Sequence, residues 1–337
     1  MYKAIEGFFV ESVEGLIFDV KGLVHPPDKI VAYVRYVPSK EGDRVRDGKR
    51  YRKIYSLSER MAFLEANYPQ YIYDDPVFNI RIQCVPIDRI SKIYDPCEYL
   101  SRLMNEAKSE VEKQVVEFVS LIIAHSGINL DNIGVTGSLL VGLAREDSDI
   151  DLVVYGKDAC LRVYRVLRDL FKDERLSRYD LDSLYKLYEF RVKDTQISFR
   201  NFVVTESRKL LQGLFRERDF YIRLVKRPEE FGERYGDRVY EPLGFQEVSA
   251  MVVDDSDSIF TPCRYVVDDV RILSGVKEYT ISEIFSFRGR FCEIARRGER
   301  VRARGKLERV KASDGSVYYR LILGGSREDY MMLEKWM

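Results

Sequence analysis

GVTGSLLVGLAREDSDIDLVVYG, residues Gly134 to Gly156, sets an apolar run against a cluster of acids. The first apolar segment ends in Gly137-Ser138. Asp149 and Asp151 follow, one residue apart, where the chain turns apolar again. Side chains alternate across a strand, so Asp149 and Asp151 share one face while Ile150 and Leu152 share the other. At the usual strand rise the two carboxylates are only about 7 Å apart. Like charges that close resist full ionisation unless a cation sits between them. Mg²⁺ takes oxygen ligands and commonly combines one or two carboxylates with phosphate oxygens. Two such ions about 4 Å apart can clamp both oxygens of an in-line displacement at phosphorus.

Gly137-Ser138 supplies a complementary half. SLLVGLA can begin a short helix at Ser138. Backbone N–H groups at a helix start attract phosphate, and glycine allows close approach. The Ser138 hydroxyl adds a donor. Alone, an Asp-x-Asp is often a solvated strand edge, and a Gly-Ser turn says less still. Strand, Gly-Ser, helix and SDIDLVV together are far more specific.

The rest of the chain frames this stretch. Its 337 residues suit two or three domains. Hydrophobic residues make up 45%, and no run approaches the roughly 20 apolar residues of a membrane span. The opening MYKAIEGFFVESVEGL carries acids within its apolar run and is not a signal peptide, so a cytoplasmic protein is expected. The five cysteines form no Cys-x-x-Cys pair, which gives no legible zinc site or disulfide framework. The two histidines, His25 and His125, are far apart, which argues against histidine-based chemistry. Lys plus Arg and Asp plus Glu both number 55, and the charged 33% suggests a surface laced with ion pairs.

Three segments emerge. Residues 1–95 read as β-rich: GLIFDVKGLV and KIVAYVRYV alternate like strands around the breaker HPPD. SKEGDRVRDGKR looks like an exposed loop, and SLSERMAFLEANY like a capped helix. Residues 96–227 begin with a helix to about His125 and then carry the quoted stretch. LRVYRVLRDLF and LDSLYKLYEFRV are amphipathic helices. A third helix runs from a Ser198 cap to Gly213, and Asp219 to Lys226 is a strand. Residues 228–337 are β-rich again, with a hairpin turn at Ser313 to Ser316.

Gly134 to Tyr155 resembles the signature of the DNA polymerase β-like nucleotidyltransferase superfamily. The whole chain also resembles an archaeal group of predicted nucleotidyltransferases. The resemblance implies an α+β fold: a nucleotidyltransferase core of mixed sheet and helices, flanked by β-rich N- and C-terminal domains. It implies that Gly137 and Ser138 hold the phosphates of an NTP. It also implies that Asp149 and Asp151 bind two Mg²⁺ ions, and that an acceptor hydroxyl receives the NMP. The superfamily usually adds a third acid on a neighbouring strand. Asp219 is the candidate, Asp194 the runner-up, and Asp254, Asp255 and Asp257 are more distant choices.

A basic residue often follows Gly-Ser in that superfamily, but here Leu139 stands there. Arg145 is the substitute phosphate ligand, or else a surface ion pair with Glu146 or Asp149. Lys209, beside Arg208 on a helix before the Asp219 strand, is a second candidate for the triphosphate, with a solvated helix face as the favoured alternative. The basic segment Arg288 to Arg309, interleaved with Phe285, Phe287 and Phe291, could track RNA or another nucleic acid. It would suit a small barrel of oligonucleotide-binding type, or equally a charged edge hairpin. The expected function is metal-dependent nucleotidyl transfer. The alternative is a nucleic-acid-binding protein with a degenerate core.

Overall fold

The structure, a computed structural model, describes residues 4–193 and 195–334. Its contacts divide the chain into two compact units. One comprises residues 1–75, 80–177 and 211–235; the other comprises 76–79, 178–210 and 236–337. This division differs from the three expected segments: the N-terminal β-rich part and most of the core form one unit.

In the first unit, β1 (Phe9–Ser12), β2 (Ile17–Val20) and β3 (Lys29–Pro38) form an antiparallel meander. β4 (Arg44–Arg46) and β5 (Lys49–Lys53) extend it as a hairpin, with β5 against β3. This corrects the loop expected there: Asp47 and Gly48 take positive φ and allow the tight turn. α1 (Leu57–Asn67), capped by Ser56, packs on the meander. β6 (Ile72–Asp75), β7 (Ile80–Pro86) and β8 (Ile90–Tyr94) complete an eight-stranded sheet.

The helix expected from Pro96 to His125 is two. α2 (Pro96–Glu106) starts on an Asp95 cap, and α3 (Glu110–Ser126) starts anew on a Ser109–Glu112 capping box. Then come β9 (Ile133–Val135), α4 (Gly137–Leu140), β10 (Ile150–Tyr155) and α5 (Lys157–Lys172). α6 (Leu181–Arg191) and α7 (Phe199–Glu206) belong to the second unit. The chain returns to the first with β11 (Gln212–Phe215) and β12 (Arg218–Val225). The helix expected to reach Gly213 therefore stops at Glu206, and Gly213 lies in a strand.

The core sheet runs β11-β12-β10-β9. β10 lies parallel to β12 and antiparallel to β9. Ile150, Leu152, Val154, Phe220, Ile222 and Leu224 are buried on its helix-covered face. There Phe118 of α3 stacks on Phe215 at 4.6 Å and tilts against Phe220 at 5.0 Å. The opposite face carries Val153, Tyr155 and Val225, which pack with Phe8, Ile5 and Leu23 of the N-terminal segment. The Tyr155 hydroxyl donates to the Glu6 carbonyl at 3.0 Å. A sheet apolar on both faces needs cover on both, and here the N-terminal part is the second cover.

In the second unit, β13 (Arg238–Asp254), β14 (Cys263–Gly275), β15 (Glu283–Ser286), β16 (Arg300–Ala312), β17 (Val317–Leu323) and β18 (Tyr330–Leu333) form a six-stranded sheet. The order β13-β14-β15-β17-β16 closes on itself, because β16 also pairs with β13 along most of its length. β15 and β17 are parallel; the other pairs in the ring are antiparallel. This ring is a small five-stranded barrel. Among the described residues no helix is long and apolar enough to cross a membrane.

Phe118 is fully buried, whereas Leu181 is 65% exposed. Phe118→Ala should lower unfolding stability by about 3–5 kcal/mol. Leu181→Ala should cost less than about 0.5 kcal/mol. Chemical denaturation of the two variants checks the contrast.

Candidate active site

Asp149 immediately precedes β10, and Asp151 is its second residue. Register pairs Ile150 with Phe220 and Asp151 with Tyr221. One step back along both strands sets Asp149 beside Asp219. Neighbouring strands lie about 4.8 Å apart, and paired residues point to the same face. The three acids therefore share the sheet face opposite α3 and α5. Arg218 fixes the approach to β10: its Nη1 donates to the Glu146 and Ser148 carbonyls at 2.7 and 2.8 Å. Its Nε donates to Gln114 at 2.5 Å.

The electrostatics follow from this convergence. Asp149 keeps a solvent-open side, yet protein packs around enough of it that desolvation, with Asp151 and Asp219 adding repulsion, lifts its pKa to about 6. Burial also raises Asp151, against the opposing pull of Lys53, Arg223 and Arg35. Arg223 is largely committed elsewhere: its Nη1 pairs with the buried Glu6 at 2.6 Å. Lys21 bridges Glu6 at 3.3 Å and Asp19 at 2.7 Å. The carboxylates are thus under-compensated by direct ion pairs, and their oxygen-only donor set suits a hard divalent cation. Among the described residues no three His, Cys, Asp or Glu side chains are gathered to hold an ion by themselves. A bound metal would complete its shell with water or phosphate, as Mg²⁺ commonly does.

Gly137 is required by geometry. Its φ is +70°, and a Cβ there would lie 2.2 Å from Asp151 Oδ2. Only glycine accommodates both constraints. The Thr136 N–H donates to the Asp151 carbonyl at 2.9 Å, tying the turn to β10. The Thr136 hydroxyl donates away, to the Gly7 carbonyl at 2.6 Å, so it does not cap α4. The first N–H groups of α4 are left without a side-chain cap, beside the buried Ser138. One turn carries little macrodipole, so any phosphate attraction there is local.

Several expected ligands are placed otherwise. Arg145 is a surface ion pair, as its alternative assignment had it, but with other partners: its fork holds Asp147 at 2.6 Å and Asp43 at 3.1 Å. That occupation argues against a phosphate role. Lys209 is corrected outright. It is 3% exposed in the second unit, with Nζ on Glu206 at 2.7 Å and on the Arg290 carbonyl at 2.7 Å. A cation so enclosed serves packing. Arg208 and Lys209 follow α7 rather than lying on it, and Arg208 pairs with Glu299 at 3.0 Å. Asp194 lies outside the described residues. Asp254, Asp255 and Asp257 lie in the second unit, where Asp254 accepts from Ser256 N–H and Asp257 pairs with Arg264.

The β16 part of the basic segment is also neutralised in place. Along β16, Arg300 pairs with Asp269, Arg302 with Glu247, Arg304 with Glu328, Lys306 with Glu308 and Arg309 with Glu241. Phe285 and Phe291 are buried, while Phe287 is exposed. The strand presents alternating ion pairs rather than a cationic track.

Sequence reasoning missed Arg35, Arg44 and Lys53, whose charges act on or around the Asp149–Asp151 pair. The signal was present: Tyr51, Lys53 and Tyr55 alternate as a strand would, just after a stretch too rich in glycine and charge to look ordered. A recess of about 660 Å³ lined by Arg46, Tyr51, Tyr94, Leu140 and Gly142 includes none of the three acids in its wall.

Two outcomes are expected. Gly137→Ala should destabilise the protein by about 1–3 kcal/mol through strain and overpacking, read as a lower melting temperature. Asp149→Asn should stabilise the metal-free protein at pH 7. A carboxyl whose folded pKa is raised costs stability above that pKa and regains it as pH falls toward 4. The gain, on the order of 1 kcal/mol once the open side is discounted, should therefore shrink between pH 7 and 4. Melting curves with and without the substitution check the sign.

The nucleotidyltransferase domain family matches residues 124–211, which take in the Gly-Ser turn and both β10 acids and end before Asp219. Over 331 residues the chain is 31% identical to the uncharacterized protein MJ1086 of Methanocaldococcus jannaschii, covering 96% of each chain. No solved structure matches it. Residues 124–211 are thus a nucleotidyltransferase domain of the polymerase β-like kind, and the chain belongs to the family that includes that Methanocaldococcus protein.

Proposed function

We propose that this protein transfers an NMP from an NTP to an acceptor hydroxyl, with Asp149, Asp151 and Asp219 as its catalytic acids. The observation that carries this is the placement of Asp219 across from Asp149, on the face shared with Asp151 and within electrostatic reach of Asp149. A degenerate core, the alternative, would be expected to have lost one of the three.

Asp149 and Asp151 would hold Mg²⁺, which when bound supplies charge neutralisation on the phosphoryl oxygens. Asp219 is the most open of the neighbours on β12 and is the group to accept the proton from the attacking hydroxyl. The Ser138 hydroxyl and the uncapped N–H groups of α4 would orient the phosphates. Gly137 keeps the turn close against Asp151, so phosphate and carboxylates are held at one place by backbone rather than by flexible side chains. The acceptor is proposed only as a hydroxyl. An RNA acceptor would need a surface other than β16, whose cations are paired.

The test is transfer of label from α-labelled NTP to acceptors in an archaeal extract, with Mg²⁺. Asp149→Asn and Asp151→Asn should each lower turnover at least about 100-fold. Asp219→Asn should lower kcat about 100-fold or more with little change in KM for NTP. Undiminished turnover in the first two variants would remove the site assignment, and in the third the proton-acceptor role.

A further inference from the structure

β3, β4 and β5 bring three cations together around two tyrosines. The Arg44 guanidinium lies 5.8 Å from the Tyr36 ring centre and Lys53 Nζ lies 5.9 Å from the same ring. Lys53 and Arg35 both lie over Tyr55, at 5.0 and 5.3 Å. Register sets Lys53 opposite Tyr36 and Arg44 opposite Tyr51, so Lys53 and Arg44 share one face of the sheet. Tyr36 and Tyr51 pack there with Leu140, Val141 and Leu143, the residues that follow the Gly-Ser turn. Arg44 Nη1 donates to the Leu143 carbonyl at 2.5 Å. The cation group is therefore anchored to the same loop that leads to Asp149.

None of the three is paired with a carboxylate among the described residues. Their neighbours Arg46 and Arg52 do have such partners: Arg46 pairs with Glu11 at 2.8 Å and Arg52 with Glu59 at 2.5 Å. Arg44 is 8% exposed, and its Nε has no hydrogen-bond partner. A buried guanidinium with an unfilled donor costs stability unless something accepts from it. Arg35 and Arg44 also oppose the charge on Lys53, and with burial push its pKa down to about 8. Asp151 and Asp149 pull the Lys53 charge the other way without a direct ion pair, and a metal bound to them would weaken that pull. A ligand carrying several negative charges would supply the counter-charge that no direct carboxylate partner provides.

We propose that Arg35, Arg44 and Lys53 form the polyphosphate-binding wall of the site, holding the β- and γ-phosphates of the NTP from the N-terminal sheet. This rests on the nucleotidyl-transfer reading of the same site. It assigns to the N-terminal sheet the cationic role that Leu139, Arg145 and Lys209 do not fill. It also gives that sheet a function beyond covering the core.

The test uses inorganic tripolyphosphate, titrated calorimetrically into the full chain at low salt without divalent metal. Wild type should bind. Lys53→Gln and Arg35→Gln, at partly exposed positions, should each weaken binding at least about tenfold, the scale of one charge-assisted hydrogen bond. Arg52→Gln, one residue away, should change it less than about twofold. Circular dichroism confirms that the variants fold, and Arg44 is left intact because it is buried. Absence of wild-type binding up to about 10 mM, or wild-type affinity in both Lys53→Gln and Arg35→Gln, would overturn the proposal. Asp149→Asn, run alongside, should keep tripolyphosphate binding while losing label transfer. If wild type transfers no label but tripolyphosphate binding still depends on Lys53 and Arg35, the transfer reading fails and the cationic wall stands.

Discussion

Everything at the centre of the first unit is arranged around mutual repulsion. Asp149, Asp151 and Asp219 occupy one face of two adjacent parallel strands, where their charges are close and burial partly desolvates Asp149 and Asp151. A fold keeps such a cluster only if the surroundings hold it in place. Here β9 on one side, β12 on the other and the Arg218 clasp on the preceding loop fix the backbone of β10. The apolar side chains between the acids anchor the strand to α3 and α5. The charge is left on the opposite face, where a cation can reach it.

That constraint explains the unit boundaries. With one sheet face covered by helices, the other still presents Val153, Tyr155 and Val225 beside the acids. The N-terminal segment covers those apolar residues and contributes Glu6, Asp19 and Lys21, which form an ion-pair network with Arg223 of β12. The β-rich N-terminal part is thus a structural component of the core. Its strands β3, β4 and β5, with Arg35, Arg44 and Lys53, extend the electrostatics of the site, since Arg35 and Lys53 act on Asp151.

The nucleotidyltransferase core was legible because its signal is local. Gly137 is needed where backbone approaches Asp151, and Asp149 and Asp151 alternate with Ile150 and Leu152. Such patterns survive in a single stretch. Asp219 was also legible, through the strand character of FYIRLV, although nothing in sequence gave its register against β10. The cationic candidates fared differently because pairing is a tertiary property. Lys209 and the β16 arginines look available in sequence and are bound to acids in space. Arg44 sits in, and Lys53 just after, a segment whose glycine and charge content resembles a loop, and only the pairing of β4 with β5 and of β5 with β3 brings them inward. The split of the expected Pro96–His125 helix was visible in retrospect in Ser109 and Glu112, a capping box inside an apolar periodicity.

The central claim is that the β10 acids and the Gly-Ser turn together bind a metal–nucleotide complex. The most direct measurement is a crystal structure with Mn²⁺ and a non-hydrolysable NTP analogue, using the anomalous signal to locate the metal. The account predicts anomalous density coordinated by Asp149 and Asp151, with phosphate oxygens at Ser138 and the N–H groups of α4. Metal and nucleotide bound elsewhere, with both carboxylates uncoordinated, would contradict it.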